Sequence, residues 1–268
     1  MLHAEKRAEN VGVEGGRVAL GGLFGNEAAL PFSPSVVHRC IEAPEAGDGL
    51  VDQVADIFIV AHVGPPEFGL GAEAEYVNAD VRKEDDVRAL VDAAVARFGR
   101  LDAAVNAAGT EGKPGPLSEQ TAETYAATFD TNVLGTLLSV KHELRVMQAQ
   151  GSGSIINISS TYGHQGAAGA SIYVASKHAV EGMTKSVALE TATSGVRVNA
   201  VAPGPVQTAM LDRFTGTPDR KAALLTTVPL GRVGDTDEIA RAAVFLASDG
   251  ASFITGEILN VDGGKSAG

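Results

Sequence analysis

The sequence predicts an α/β fold: a doubly wound parallel sheet flanked by helices on both faces, held in a single domain. Three observations carry this expectation. From Glu75 onward, apolar strand-like runs alternate with stretches of helical periodicity, the pattern of a parallel sheet joined by right-handed crossovers. The strand-like runs are almost continuously apolar, as in strands covered on both faces. Glycine accounts for 32 of 268 residues, a content that suits many tight turns between strands and helices.

In chain order, residues 1–16 read as an N-terminal extension and 17–268 as the domain, of which 17–74 is atypical. Val18, Ala19 and Leu20 begin a first strand, and Gly21, Gly22 and Gly25 follow it. A phosphate-binding turn needs glycines where the backbone bends and approaches a pyrophosphate. Here Glu27 stands where a small residue is wanted, and its carboxylate would repel phosphate. Pro31, Pro34, Pro44, Pro65 and Pro66 interrupt any long helix in the next stretch, where only 56–60 reads as a strand.

The text then becomes regular. Residues 76–81 form a short strand ending in an acid, and Glu84–Phe98 an amphipathic helix. That helix carries Val87, Leu90, Val91, Ala94, Val95 and Phe98 at helical spacing, acids in its first turn and Gly99 after its end. A buried strand at 101–108 leads to a loop at 110–117 with Pro114, Gly115 and Pro116. A long helix at 118–150 follows, with Asn132 in its interior, where asparagine has poor propensity. Residues 154–158 form another strand. Beyond a glycine-rich turn come a helix at 173–193, a strand at 196–202, a helical lid at 208–225, a helix at 237–247 and a last strand at 257–261.

Composition narrows the function. A formal net charge of −12 leaves no basic surplus for nucleic acid or an anionic membrane. No apolar run reaches membrane-spanning length, and the first residues lack the apolar core of a secretory leader. The single cysteine, Cys40, excludes an internal disulfide and suits a reducing compartment. A cytoplasmic protein acting on small molecules is expected. The six histidines form no metal-binding spacing, so no metal site is expected.

The chemistry concentrates in 154–180. Tyr173 and Lys177 stand one helical turn apart, so their side chains share a helix face, and the strand end at Ser159 and Ser160 can be brought against them. His164 reads as a solvated histidine of the turn between them. Gln165 and residues 208–214 are the other candidates for the substrate side.

The spacing Ser160-x12-Tyr173-x3-Lys177 resembles the signature of the short-chain dehydrogenase/reductase family. The resemblance extends from about residue 75 to 264. Asn78-Ala79-Asp80-Val81 is similar to the family's adenine-contacting strand end, and Asn106-Ala107-Ala108-Gly109 to its Asn-Asn-Ala-Gly motif with one substitution. Asn132 matches the asparagine of the family's catalytic helix. The run from Pro203 and Gly204 through Val206 to Thr208 matches its nicotinamide-contacting loop, and Thr255-Gly256 with Asp262-Gly263-Gly264 its closing strand.

The resemblance implies a Rossmann-like domain that interconverts a secondary alcohol and a ketone with NAD or NADP, NAD being preferred. It implies catalysis by Asn132, Ser160, Tyr173 and Lys177, with Tyr173 as acid/base, Ser160 on the substrate oxygen and Asn132 supporting a water relay. Cofactor contacts are implied for Asp80, Val81, Asn106, Ala107, Ala108, Gly109, Tyr173, Lys177, Pro203, Gly204, Val206 and Thr208. A homotetramer is implied as well. A phenol titrates near 10 when unperturbed, and the Lys177 ammonium is expected to favour its phenolate.

The chain departs from the family before residue 75. The family's Thr-Gly-x3-Gly-x-Gly turn, and the acid or basic residue that ends its second strand, have no match, although 17–80 has about the expected length. Equal length with unrelated text points to a shifted or replaced reading frame. The competing expectation is a catalytically silent binding or assembly subunit with an impaired dinucleotide site.

Overall fold

The computed structural model describes residues 37–41, 56–61 and 73–267, with side chains from Val77 on. The extension at 1–16, the strand at 18–20 and Gly21, Gly22 and Gly25 lie outside the described residues.

Three strands open the described part: β1 (Val37–Ile41), β2 (Asp56–Ala61) and β3 (Glu73–Asn78). They pair antiparallel in the order β1-β2-β3, which corrects the expectation of parallel strands here. Antiparallel neighbours can pair without the helical crossover that parallel neighbours need. The strand expected at 76–81 also ends early, at Asn78. The Asp80 carboxylate accepts the Arg82 backbone N–H at 3.0 Å, and the Lys83 N–H reaches the Asp80 carbonyl at 2.9 Å, which turns the chain toward α1.

Helix α1 (Glu84–Phe98) has the expected bounds. Three acids lie in its first turn, and Gly99 closes it at φ 80, a left-handed conformation that glycine adopts without strain. The main sheet is parallel, with β4 (Ala103–Asn106), β5 (Gly153–Ile158), β6 (Val196–Pro203) and β7 (Ile258–Val261) in that order and no reversal among the described residues. Alternation along the strands sends side chains to opposite faces. Ala104, Ile155 and Val198 pack with α1, α3 (Gly135–Gln150) and α4 (Ser171–Thr191), whereas Val105, Ile156 and Val201 pack with α7 (Thr236–Ala247). Helices therefore cover both faces of a single domain, as expected.

The long helix expected at 118–150 is divided. Thr121 caps α2 (Ala122–Phe129) in a reciprocal box with Thr124, and a π turn (Asp130–Leu134) then joins α2 to α3. Single π turns inside helices recur at functional sites. The region expected as a lid is two short helices, α5 (Ala209–Thr215) and α6 (Pro218–Leu225), separated by Gly216 at φ 67. Among the described residues, no helix is long and apolar enough to cross a membrane, and no cluster of metal-ligating side chains forms.

Candidate active site

The C-terminal end of β5 delivers Ser159 and Ser160. A single tight turn (Thr161–Gly163) follows, capped by the Ser160 hydroxyl, which accepts the Tyr162 N–H at 3.2 Å. Helix α4 then carries Tyr173 and Lys177 to the same strand end. The buried Lys177 ammonium donates to the Ile158 carbonyl at 2.9 Å and lies 5.7 Å from the centre of the Tyr173 ring. Ser160, Tyr173 and Lys177 are thus brought to one strand end, with the Ser160 hydroxyl near enough to the phenol to favour its ionised form.

Asn132 joins them through the π turn. Its amide donates to the Thr110 carbonyl and to the Ser176 hydroxyl, each at 2.9 Å, and its oxygen accepts the Thr110 N–H at 2.8 Å. Ser176 in turn donates to the Tyr173 carbonyl at 2.8 Å. The asparagine therefore clamps the chain after β4 to the first turns of α4, with its side-chain donors and acceptor all engaged by protein. Gly109 lies inside this clamp. A Cβ there would come within 3.3 Å of Asn132 Oδ1 and 3.6 Å of Lys177 Nζ, so glycine keeps a bare backbone beside both groups.

The electrostatics differ from the expectation in one respect. Burial is the largest influence on the Tyr173 phenol and pushes it up to about 12; Ser160 opposes the rise, and Glu111 adds to it. The expected fall through Lys177 is not seen, because the ammonium is directed at Ile158 and is itself weakened. Burial lowers Lys177 to about 8, against the charge of Glu181 one turn further along α4. A phenol at about 12 keeps its proton at neutral pH.

The remaining cofactor candidates are spread along the sheet's C-terminal edge. Ala107 and Ala108 follow β4, and Ala108 packs on the core. The Asn106 side chain turns into the protein, donating to Glu143 at 3.1 Å and to Asn157 at 3.0 Å. Glu143 is fully buried in α3, and desolvation pushes its carboxyl up to about 7 despite the Asn106 bond. Pro203 ends β6. Gly204 crosses the Asp262 backbone so closely that a Cβ would meet its Cα at 2.7 Å. Val206 bridges to Gly234, and Thr208 caps α5 by accepting the Leu211 N–H at 3.2 Å. Asp80 and Val81 stand just before α1: the Arg82 guanidinium holds the Asp80 carboxyl below its usual range, and Val81 is buried against Gly135.

Several residues at the site have no strong signal in the sequence. Tyr162 meets the Tyr173 ring edge-on at 6.4 Å and the Phe214 ring at 6.2 Å, and Lys265 Nζ stands 5.2 Å from the Tyr162 centre. Arg213 of α5 forks onto Glu111 at 2.7 and 3.3 Å. Only Phe214 and Arg213 fall within the stretch expected on the substrate side. His164, expected to be solvated, is one-third exposed and holds the buried Glu181 through Nδ1 at 3.1 Å. The position of Glu181 four residues after Lys177 is the sequence feature that places it beside that lysine.

These residues fit a nicotinamide dinucleotide at two points. An ammonium has three protons to donate, and the buried Lys177 uses one on Ile158 among the described residues, leaving the others for hydroxyl acceptors of a ribose. Gly109 leaves room for close approach of a ligand beside Lys177 and Asn132.

Comparison with known proteins agrees with this fit. The family model described as enoyl-(acyl carrier protein) reductase matches residues 66–266. The chain is 44% identical over 198 residues to cis-4-hydroxycyclohexanecarboxylate dehydrogenase of Sinomonas cyclohexanicum, covering 74% of this chain and 78% of that one. It is 41% identical over 199 residues to 2,5-dichloro-2,5-cyclohexadiene-1,4-diol dehydrogenase of Sphingobium indicum, covering 74% and 80%. A gluconate 5-dehydrogenase from Burkholderia cenocepacia, solved with NADP and tartrate, superposes with a TM-score of 0.67 at 34% identity, covering 70% of this chain and 74% of that one. The chain belongs to the short-chain dehydrogenase/reductase family. It is an NAD(P)-dependent oxidoreductase of CH–OH groups, which sets aside the silent-subunit reading.

Proposed function

We propose that Tyr173 is the acid/base of a reaction interconverting a cyclic secondary alcohol and its ketone, with Ser160 holding the substrate oxygen and Lys177 supporting the phenolate. The observation that carries this reading is the Ser160–Tyr173–Lys177 arrangement at the end of β5. In the reductive direction the Ser160 and Tyr173 hydroxyls donate to the carbonyl oxygen, and the phenol passes its proton to that oxygen as it becomes an alkoxide. The Lys177 ammonium offsets the charge then left on the phenolate, and Asn132 fixes Gly109 and Thr110 behind it and supports the return of a proton through water. When bound, NAD or NADP accepts or supplies the hydride. Lys177, Gly109, Ala107, Ala108, Gly204, Val206 and Thr208 hold it, with Asn106, Pro203, Asp80 and Val81 shaping the strand ends around it.

The ring wall of Tyr162, Phe214 and Tyr173 supports a substrate with a flat or chair-shaped six-membered ring, as do the ring-bearing names of the two relatives. The acidic balance of the chain favours NAD, while the gluconate 5-dehydrogenase neighbour holds NADP. Exposed Tyr125, Leu134 and Leu137, along α2, the π turn and the start of α3, support assembly into a homotetramer, and the single cysteine supports a cytoplasmic setting.

Turnover of cyclohexanols with NAD and NADP tests the reading. Tyr173→Phe is expected to lower the rate by about a hundredfold to ten-thousandfold, the usual share of a general acid, while NADPH still raises the melting temperature. Turnover retained by this variant would refute the assigned role.

A further inference from the structure

One cation at the site is left without a counter-charge. Lys265, beyond the end of β7, is half-buried with its ammonium 5.2 Å from the centre of the Tyr162 ring. Among the described residues it has no ion-pair or hydrogen-bond partner for that ammonium. Two acids of the site are engaged elsewhere. Glu111 is held by the Arg213 fork at 2.7 and 3.3 Å. Asp262 accepts the Gly264 N–H at 2.9 Å, the Ser266 N–H at 2.8 Å and the Ser266 hydroxyl at 2.5 Å. The face of an aromatic ring is a weak partner for an ammonium compared with a carboxylate oxygen. A charged group brought to this ring therefore finds a half-desolvated cation ready to receive it.

The surroundings set which molecule that is. The Tyr162 ring touches the Tyr173 ring on one side and Phe214 on another, so a single aromatic wall has the proton-carrying phenol at one border and the Lys265 ammonium at another. Arg213 is a further cation on this side, but its fork is filled by Glu111. An anion would have to displace that carboxylate to use it.

We propose that Lys265 is a specificity-determining residue that binds an anionic substituent, a carboxylate or sulfonate, carried by the substrate's ring away from its reacting carbon. The proposal rests on the reading of the substrate as a cyclic alcohol or ketone. It predicts that anionic ring substrates are preferred over neutral ones of the same shape, through binding more than through the chemical step.

Two measurements test it. The first is calorimetric titration of cyclohexanecarboxylate into the protein, with and without NADP, which requires no turnover. Binding to Lys265→Met is expected to be at least tenfold weaker than to the unaltered protein, with Lys265→Arg restoring most of the affinity. Equal affinity in Lys265→Met, or no binding to the unaltered protein, overturns the proposal. The second compares kcat/KM for cis-4-hydroxycyclohexanecarboxylate and cis-4-methylcyclohexanol. The ratio should fall at least tenfold in Lys265→Met, mainly through KM, and an unchanged ratio overturns the proposal. If cyclohexanecarboxylate binds through Lys265 while neither alcohol is oxidised, the anion site stands and the cyclic-alcohol reading fails.

Discussion

The Glu181 carboxylate accepts the Ser159 hydroxyl at 2.9 Å, which ties the residue just before Ser160 to the helix that carries Tyr173 and Lys177. The same carboxylate holds His164 Nδ1 at 3.1 Å, so both ends of the turn bearing Tyr162 are fastened to one buried acid. Gly163 lies against it, and a Cβ there would overlap the carboxylate and approach the Ser159 hydroxyl to 2.5 Å.

Gly163→Ala is therefore expected to push Glu181 off the turn. Overpacking of this kind costs about 1–3 kcal/mol, and displacement of Ser160 should lower kcat/KM by about tenfold to a hundredfold. Urea unfolding and steady-state kinetics on the same variant would check both. A stability and rate equal to those of the parent protein would show that the turn does not need the clamp.

The pH dependence of ketone reduction follows from two groups. The Tyr173 phenol, pushed up to about 12 by burial, holds its proton throughout the neutral range. Lys177, lowered to about 8 by burial, loses its charge above that pH. The reduction rate is expected to be level near neutrality and to fall above about pH 8. In Glu181→Gln the limb should move to lower pH, because the Glu181 charge is what raises Lys177 against burial. A limb unmoved in this variant would separate Glu181 from the lysine. The same depressed lysine affects folding with the opposite sense. Its unfolded value is near 10.5, so the unfolded chain binds the extra proton between about 8 and 10.5, and this group's contribution to stability rises with pH across that window.

Glu143 makes a third prediction with the sign reversed. Its carboxyl is raised from 4.5 to about 7 by burial, so between those values the folded chain binds the extra proton and stability falls as pH rises. The loss amounts to at most about 3 kcal/mol, at 1.36 kcal/mol per unit. Glu143→Gln should remove this fall while keeping a hydrogen bond for Asn106. Unfolding free energies at pH 5 and pH 7.5, compared between the two proteins, would decide it; equal slopes would count against a strained acid.

What was legible in the sequence was local. Tyr173 and Lys177 share a helix face by spacing alone, and α1 was readable because its apolar period, first-turn acids and Gly99 agree. Contacts between distant stretches were not legible: Glu111 and Arg213 are 102 residues apart, and Lys265 reaches Tyr162 only because β7 returns beside β6. The break at 130–134 was hidden because the residues of a π turn differ little from those of the helix around it. Only the poor fit of Asn132 to a helix interior pointed there. The strand at Val37–Ile41 was not read at all, and the antiparallel pairing of β2 with β3 was missed because apolar runs reveal strands but not their direction.

The π turn has one further meaning. A single π turn is a helix with one residue more than its path requires, with the excess confined to one loop of backbone. The widened turn holds Asn132, whose side chain reaches Thr110 and Ser176 from it. A chain that healed the helix by losing one residue would gain regular hydrogen bonds and keep its shape, but would lose the fastening behind Lys177.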